Sequence, residues 1–154
     1  AARTALGSYK KALQAALREG LRDGPENAID VCRSKAPEIG RAVAGGGMKI
    51  GRTSHRLRNP ANEPAPWVKP FLDAYAAGED NSPWRAVRLD DGAVGYVEPI
   101  FVQPLCLKCH GAAIPDGVAE KITQWYPDDQ ATNFSAGDFR GLFWVTIAPA
   151  SPDG

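Results

Sequence analysis

The chain has 154 residues, 44% of them hydrophobic, and its 18 basic and 18 acidic side chains cancel. That length suffices to bury a core and a cofactor in one domain, 1–154, without disulfide staples or repeats, and nothing in the zero net charge points to nucleic acid or to an anionic membrane surface. No apolar run approaches the roughly 18 residues of a membrane span, and the opening Ala1-Ala2-Arg3-Thr4 carries no apolar signal region.

From Thr4 to Gly20, Leu6, Tyr9, Leu13, Ala16 and Leu17 recur at three- and four-residue intervals with Lys10, Lys11, Gln14 and Arg18 between them. The spacing predicts an amphipathic helix that stops at the glycine. A second helix is expected after Asp23-Gly24, where Pro25 suits a first turn and Glu26 favours the amino end of the helix dipole. Its apolar stripe, Ile29, Cys32, Ala36, Ile39 and Val43, sets Cys32 on the inward face. Pro37 lacks the amide that would bond the Arg33 carbonyl, so a kink or break is expected one turn after Cys32.

Gly45-Gly46-Gly47 loosens the chain, and the punctuation from Met48 to Pro66 predicts a long loop. Between Ile39 and Asn62 stand Arg41, Lys49, Arg52, Arg56 and Arg58 and no acid, whereas Gly111 to Asp138 holds five acids and one base, Lys121. Such a loop is either solvated or faces an anion; in the second case Arg52, with Arg56 or Arg58, would bind the carboxylates of an anionic cofactor. Pro66 opens a third helix bearing Trp67, Phe71, Leu72 and Tyr75 and closed by Gly78. Asp91-Gly92 is a tight-turn signal joining Trp84–Asp90 to Val94–Gln103 in a hairpin.

The second strand of that hairpin feeds into Cys106-Leu107-Lys108-Cys109-His110, two cysteines three apart followed directly by histidine. The pattern is that of covalent c-type haem attachment: each thiol can add to one porphyrin vinyl group, and the histidine is carried under the iron as proximal axial ligand. Two other readings compete. A zinc site would need four donors, reachable only by recruiting Cys32 with His55 or His110 from distant segments. A thioredoxin-like dithiol would need a parallel βαβ setting, which is missing from the pattern. If Cys106 and Cys109 are thioethers, Cys32 is a lone thiol that must be buried or ligated. Cys32, Met48 and His55 are the side chains able to complete the iron, and spacing alone leaves the three open.

After the motif, Pro115 to Tyr126 reads as a short helix with Val118, Ile122 and Trp125, stopped by Pro127. Phe139, Gly141, Phe143, Val145 and Ile147 then alternate with Arg140, Leu142, Trp144 and Thr146 in a strand apolar enough on both faces to be central in its sheet. Helices first, then an antiparallel sheet with the haem-attachment helix between strands, is an α+β pattern.

Several segments together resemble a family of bacterial c-type haem proteins, once a domain of unknown function. They are Ala28-Ile29-Asp30-Val31-Cys32, Gly51-Arg52-Thr53-Ser54 with Arg58-Asn59-Pro60-Ala61-Asn62, Gln103 to Gly111, and Tyr126 to Ala131 with Gly137-Asp138-Phe139-Arg140-Gly141. They span most of the chain, and their order carries the match. The resemblance implies a PAS-like fold and His/Cys axial ligation: thioethers at Cys106 and Cys109, with His110 and Cys32 on the iron. It also implies attachment outside the cytoplasm, hence export to a periplasm with the signal removed.

Three functions fit such a domain: a redox or small-gas sensor, a low-potential electron carrier with a redox partner protein, or a haem peroxidase. Peroxidase chemistry needs an open iron position, which a protein-filled sixth site blocks, so a non-enzymatic role is expected. A sensor would signal to a separate partner or to an output segment beyond this stretch.

Overall fold

The computed structural model describes residues 1–150, so the last four residues of the expected 1–154 span lie outside it. Two long antiparallel-packed helices, α1 (Ala2–Arg22) and α2 (Pro25–Val43), lead into β1 (Met48–Thr53), α3 (Lys69–Ala76) and the hairpin of β2 (Arg85–Arg88) and β3 (Val94–Phe101). A 3-10 turn at Pro104–Cys106 runs into a single helical turn, α4 (Leu107–His110), followed by α5 (Asp116–Trp125) and β4 (Phe139–Ile147). The strands form one antiparallel sheet in the order β1-β4-β3-β2. The α+β architecture expected from the chain's pattern is the one formed, with the cysteine-histidine turn between β3 and β4.

Alternation along β4 places it at the sheet centre, as its two apolar faces require. Val145 joins Leu6, Tyr9 and Tyr96 on the side covered by α1, and Leu142 joins Val68, Leu72, Tyr75 and Val97 on the side covered by α3. Leu6, Val68, Val97, Leu142 and Val145 are fully buried, each worth about 1.5–3 kcal/mol relative to exposure. The hairpin closes as expected: the Gly92 amide donates to the Leu89 carbonyl, and the Asp91 carboxylate accepts from the Ala93 amide.

Three expectations are corrected. The stretch from Met48 is not all loop, since Met48–Thr53 is an edge strand paired with β4. Its Met48 and Ile50 alternate with Lys49 and pack into the core under α1, a signal masked by the flanking glycines. Gly20 does not end α1; it lies inside the helix, where a Cβ would come within 3.0 Å of the Ala28 Cα, so its bareness lets α2 approach. Of the kink or break expected at Pro37, the break does not occur: α2 runs on to Val43. Pro37 sits on the solvent face, where the Arg33 carbonyl it leaves without an amide partner is beside water.

Candidate functional site

The hairpin delivers the chain to the turn that carries Cys106, Cys109 and His110. Both thiols are free and half-buried: Cys106 packs with the Val102, Ala131 and Phe134 cluster, and Cys109 packs with Ile29 of α2 and Val118 and Ile122 of α5. The turn ends abruptly because of Gly111. A Cβ there would sit 2.6 Å from the Leu107 carbonyl oxygen, which belongs to the backbone and cannot yield.

The segment after α5 brackets this turn through its backbone. The Phe134 amide donates to the His110 carbonyl at 2.9 Å, and the Asn133 amide donates to the Gly111 carbonyl at 3.0 Å. Asn133 takes a left-handed conformation, φ 61°, which asparagine tolerates better than most residues. The His110 ring is held by the same segment, with Nδ1 2.8 Å from the Ala131 carbonyl oxygen. A carbonyl can only accept, so Nδ1 carries the proton and Nε2 presents its lone pair. Burial, reinforced by the charges of Arg140 and Arg58, pushes the His110 pKa down to about 3, and the imidazole is neutral at physiological pH. A neutral ring with one nitrogen tied back and the other free is a metal donor with its tautomer set.

Arg58 braces the turn from the other side. It pairs with Asp129, donates from Nη2 to the Cys109 carbonyl, and reaches the Ala131 carbonyl at 3.2 Å. The side chains of the pair are only 12% and 9% exposed. Arg58 is therefore already matched by a carboxylate, whereas Arg56 points outward, its guanidinium 4.0 Å from the Phe134 ring centroid and its Nε donating to the Gln130 carbonyl. Arg52 projects from β1 and makes no ion pair or side-chain hydrogen bond among the described residues; its charge is felt by Cys32, His110 and Arg140.

Cys32 lies half-buried on α2. Burial raises its pKa, opposed by Arg52, and its charge would in turn act on Cys109, which places the two cysteines on the same region. The helix is fastened beside it: the Asp30 carboxylate accepts from Trp125 Nε1 at 2.9 Å and pairs with Lys121 at 2.8 Å, and the Arg33 guanidinium lies 3.7 Å from the Trp125 ring centroid. A cleft of about 540 Å³ opens along this seam, lined by Arg33, Ser34, Asn59, Pro60, Trp125 and Tyr126.

The two other side chains able to complete an iron are held by aromatic or apolar packing. Met48 packs beneath α1 in the core of the sheet. His55 is stacked on Phe139 at 5.4 Å and meets Phe134 edge-on at 6.3 Å, and His110 meets the same Phe134 ring at 6.3 Å. No group of three or more His, Cys, Asp or Glu side chains converges on a point among the described residues, so the four-donor zinc site finds no donor set there.

Three participants carried no role in the sequence reading: the Ala131 carbonyl, Asp129 and Arg140. Any residue offers a carbonyl, so the first has no sequence signature. Arg140 had a signal, a lone charge at the start of an otherwise apolar strand.

A solved structure, the crystal structure of the cyanobacterial heme-protein Tll0287, superposes on the chain with a TM-score of 0.71 at 26% identity, covering 96% of this chain and 92% of that one. No curated protein matches. The model of the Tll0287-like family (Tll0287) matches residues 3–148, nearly all of the sequence and every element described above, and the chain belongs to that family.

Proposed function

We propose that this chain is a periplasmic c-type haem protein with one haem held through Cys106 and Cys109 and with His110 and Cys32 as axial ligands, acting as a redox or small-gas sensor rather than an enzyme. The observation that carries the reading is the His110 ring: Nδ1 is anchored on Ala131 and the neutral Nε2 is left as donor, the arrangement a proximal ligand needs. The residues fit the group in two further respects. Cys106 and Cys109 are unbonded thiols within one turn of that histidine, and the turn is braced from both sides by the Ala131–Phe134 segment and by Arg58. The fold shared with a crystallised heme-protein of the same family supports the cofactor.

When bound, haem supplies a one-electron iron couple and, with an axial ligand released, a place for a small gas. The chain's part is positional. His110 is rigidly seated, while Cys32 rides on α2, a helix latched to α5 through Asp30, Trp125 and Lys121. Arg52 opposes the burial that disfavours a Cys32 thiolate, and as a cation without a partner among the described residues it is also placed to meet a propionate. A change of ligation at Cys32 would thus be felt by a helix, which suits sensing. The alternative, a low-potential electron carrier, is favoured by the exposure of Phe101 and Leu105 beside the attachment turn, apolar surface of the sort a redox partner would cover.

The test is extraction with acid and organic solvent. Haem should stay with the unaltered chain and be lost from C106A/C109A; haem that extracts from the unaltered protein refutes the proposal.

A further inference from the structure

Arg140 stands at the start of β4, partly buried, beside the Cys106–His110 turn. Its Nη1 donates to Ser54 Oγ at 2.7 Å and to the Arg56 carbonyl at 3.3 Å. Ser54 is saturated in holding it, since its hydroxyl donates to the Arg140 carbonyl and accepts from both Nη1 and the Arg56 amide. These contacts aim the guanidinium without neutralising it. Among the described residues Arg140 makes no ion pair, and Asp129, whose charge acts on it, is already taken by Arg58.

The charges of Arg52 and Arg58 both act on Arg140, and of these three cations only Arg58 is matched by a carboxylate. Withdrawing a guanidinium from water without an anion is costly, and burial together with Arg52 and Arg58 holds the Arg140 pKa down at about 10. The unused Nε and Nη2 form the edge of the guanidinium that grips a carboxylate with two parallel hydrogen bonds. No fully buried side-chain nitrogen or oxygen among the described residues lacks a partner, so these free donors face accessible space. The Phe134 ring lies 5.3 Å from the Arg140 guanidinium and meets the His110 ring edge-on, so Arg140 and the histidine flank one aromatic side chain.

We infer that the Nε/Nη2 edge of Arg140 binds a carboxylate of the haem, an inference that rests on the haem reading above. Haem carries two carboxylates; of the arginines here without an ion pair among the described residues, Arg56 spends its Nε on the Gln130 carbonyl, whereas Arg140 keeps its Nε/Nη2 edge free.

The experiment compares the haem-loaded unaltered protein with R140Q and R140K by resonance Raman spectroscopy, reading the propionate bending bands, whose frequency follows hydrogen bonding to the carboxylate. In R140Q one band should fall in frequency while the thioether attachment persists. R140K, which keeps a charge but cannot make the fork, should fall less. Should R140Q fail to fold, a fall in R140K relative to the unaltered protein carries the test. An unchanged band in a folded variant overturns the inference, as does an equal shift in both variants, which would mark Arg140 as a packing residue. Melting in acetate separates a haem carboxylate from a free one: a midpoint that rises with acetate in the unaltered protein, and not in R140Q, would mean a free anion occupies the edge and would also overturn it. If the unaltered chain loses its haem on extraction, the haem reading itself fails; if haem is retained and the bands do not move, this inference alone fails.

Discussion

Replacing Asp129 by alanine tests whether the braced turn is held as its geometry implies. Asp129 Oδ1 accepts from Arg58 Nε at 3.1 Å and from the Ala131 amide at 2.9 Å, and Oδ2 accepts from Arg58 Nη2 at 3.2 Å. Both side chains are nearly out of water, 12% and 9% exposed, so deleting the acid strands a guanidinium against the Cys109 and Ala131 carbonyls. Breaking a buried pair from one side costs about 3–5 kcal/mol. At roughly 2–4 °C per kcal/mol for a chain of this size, the midpoint should fall on the order of 6–20 °C. The control is Asp73→Ala, whose pair with Lys69 is 62% and 63% exposed and should be worth about 0–1 kcal/mol. Urea and thermal unfolding of the haem-loaded proteins, followed by far-ultraviolet circular dichroism, measure both. R58M/D129A should recover part of the loss, because the stranded charge is gone. If D129A costs no more than D73A, Arg58 is solvated and the bracing argument is wrong.

Cys32→Ser should remove the thiolate charge-transfer bands of the ferric protein and raise its reduction potential, because an anionic donor stabilises ferric iron. An unchanged ferric spectrum would make Cys32 a packing residue and bring Met48 and His55 forward. In the unaltered reduced protein, rapid carbon monoxide binding would favour sensing, and a haem that refuses the gas would favour electron transfer. Gly111→Ala should cost about 1–3 kcal/mol in the same unfolding assays, since its methyl would meet the Leu107 carbonyl oxygen at 2.6 Å, and a neutral result would mean that the turn can open.

The chain by itself determined whatever depends on near neighbours. Cys106, Cys109 and His110 lie within five residues, so their joint chemistry is legible without a fold. The stripes of α1, α2 and α5, the Asp91-Gly92 turn and the two apolar faces of β4 come from the same short-range periodicity. Tertiary structure decided the rest, because the partners are far apart in sequence or chemically anonymous. Met48–Thr53 becomes a strand only where β4 offers it an open edge, and Gly20 turns from a stop signal into a contact only when α2 folds back on it. Arg58 finds Asp129 across 71 positions, so Arg58 is the matched cation while Arg140 makes no ion pair among the described residues. The tautomer of His110 is set by the Ala131 carbonyl, a group every residue carries, so no residue type could have announced it.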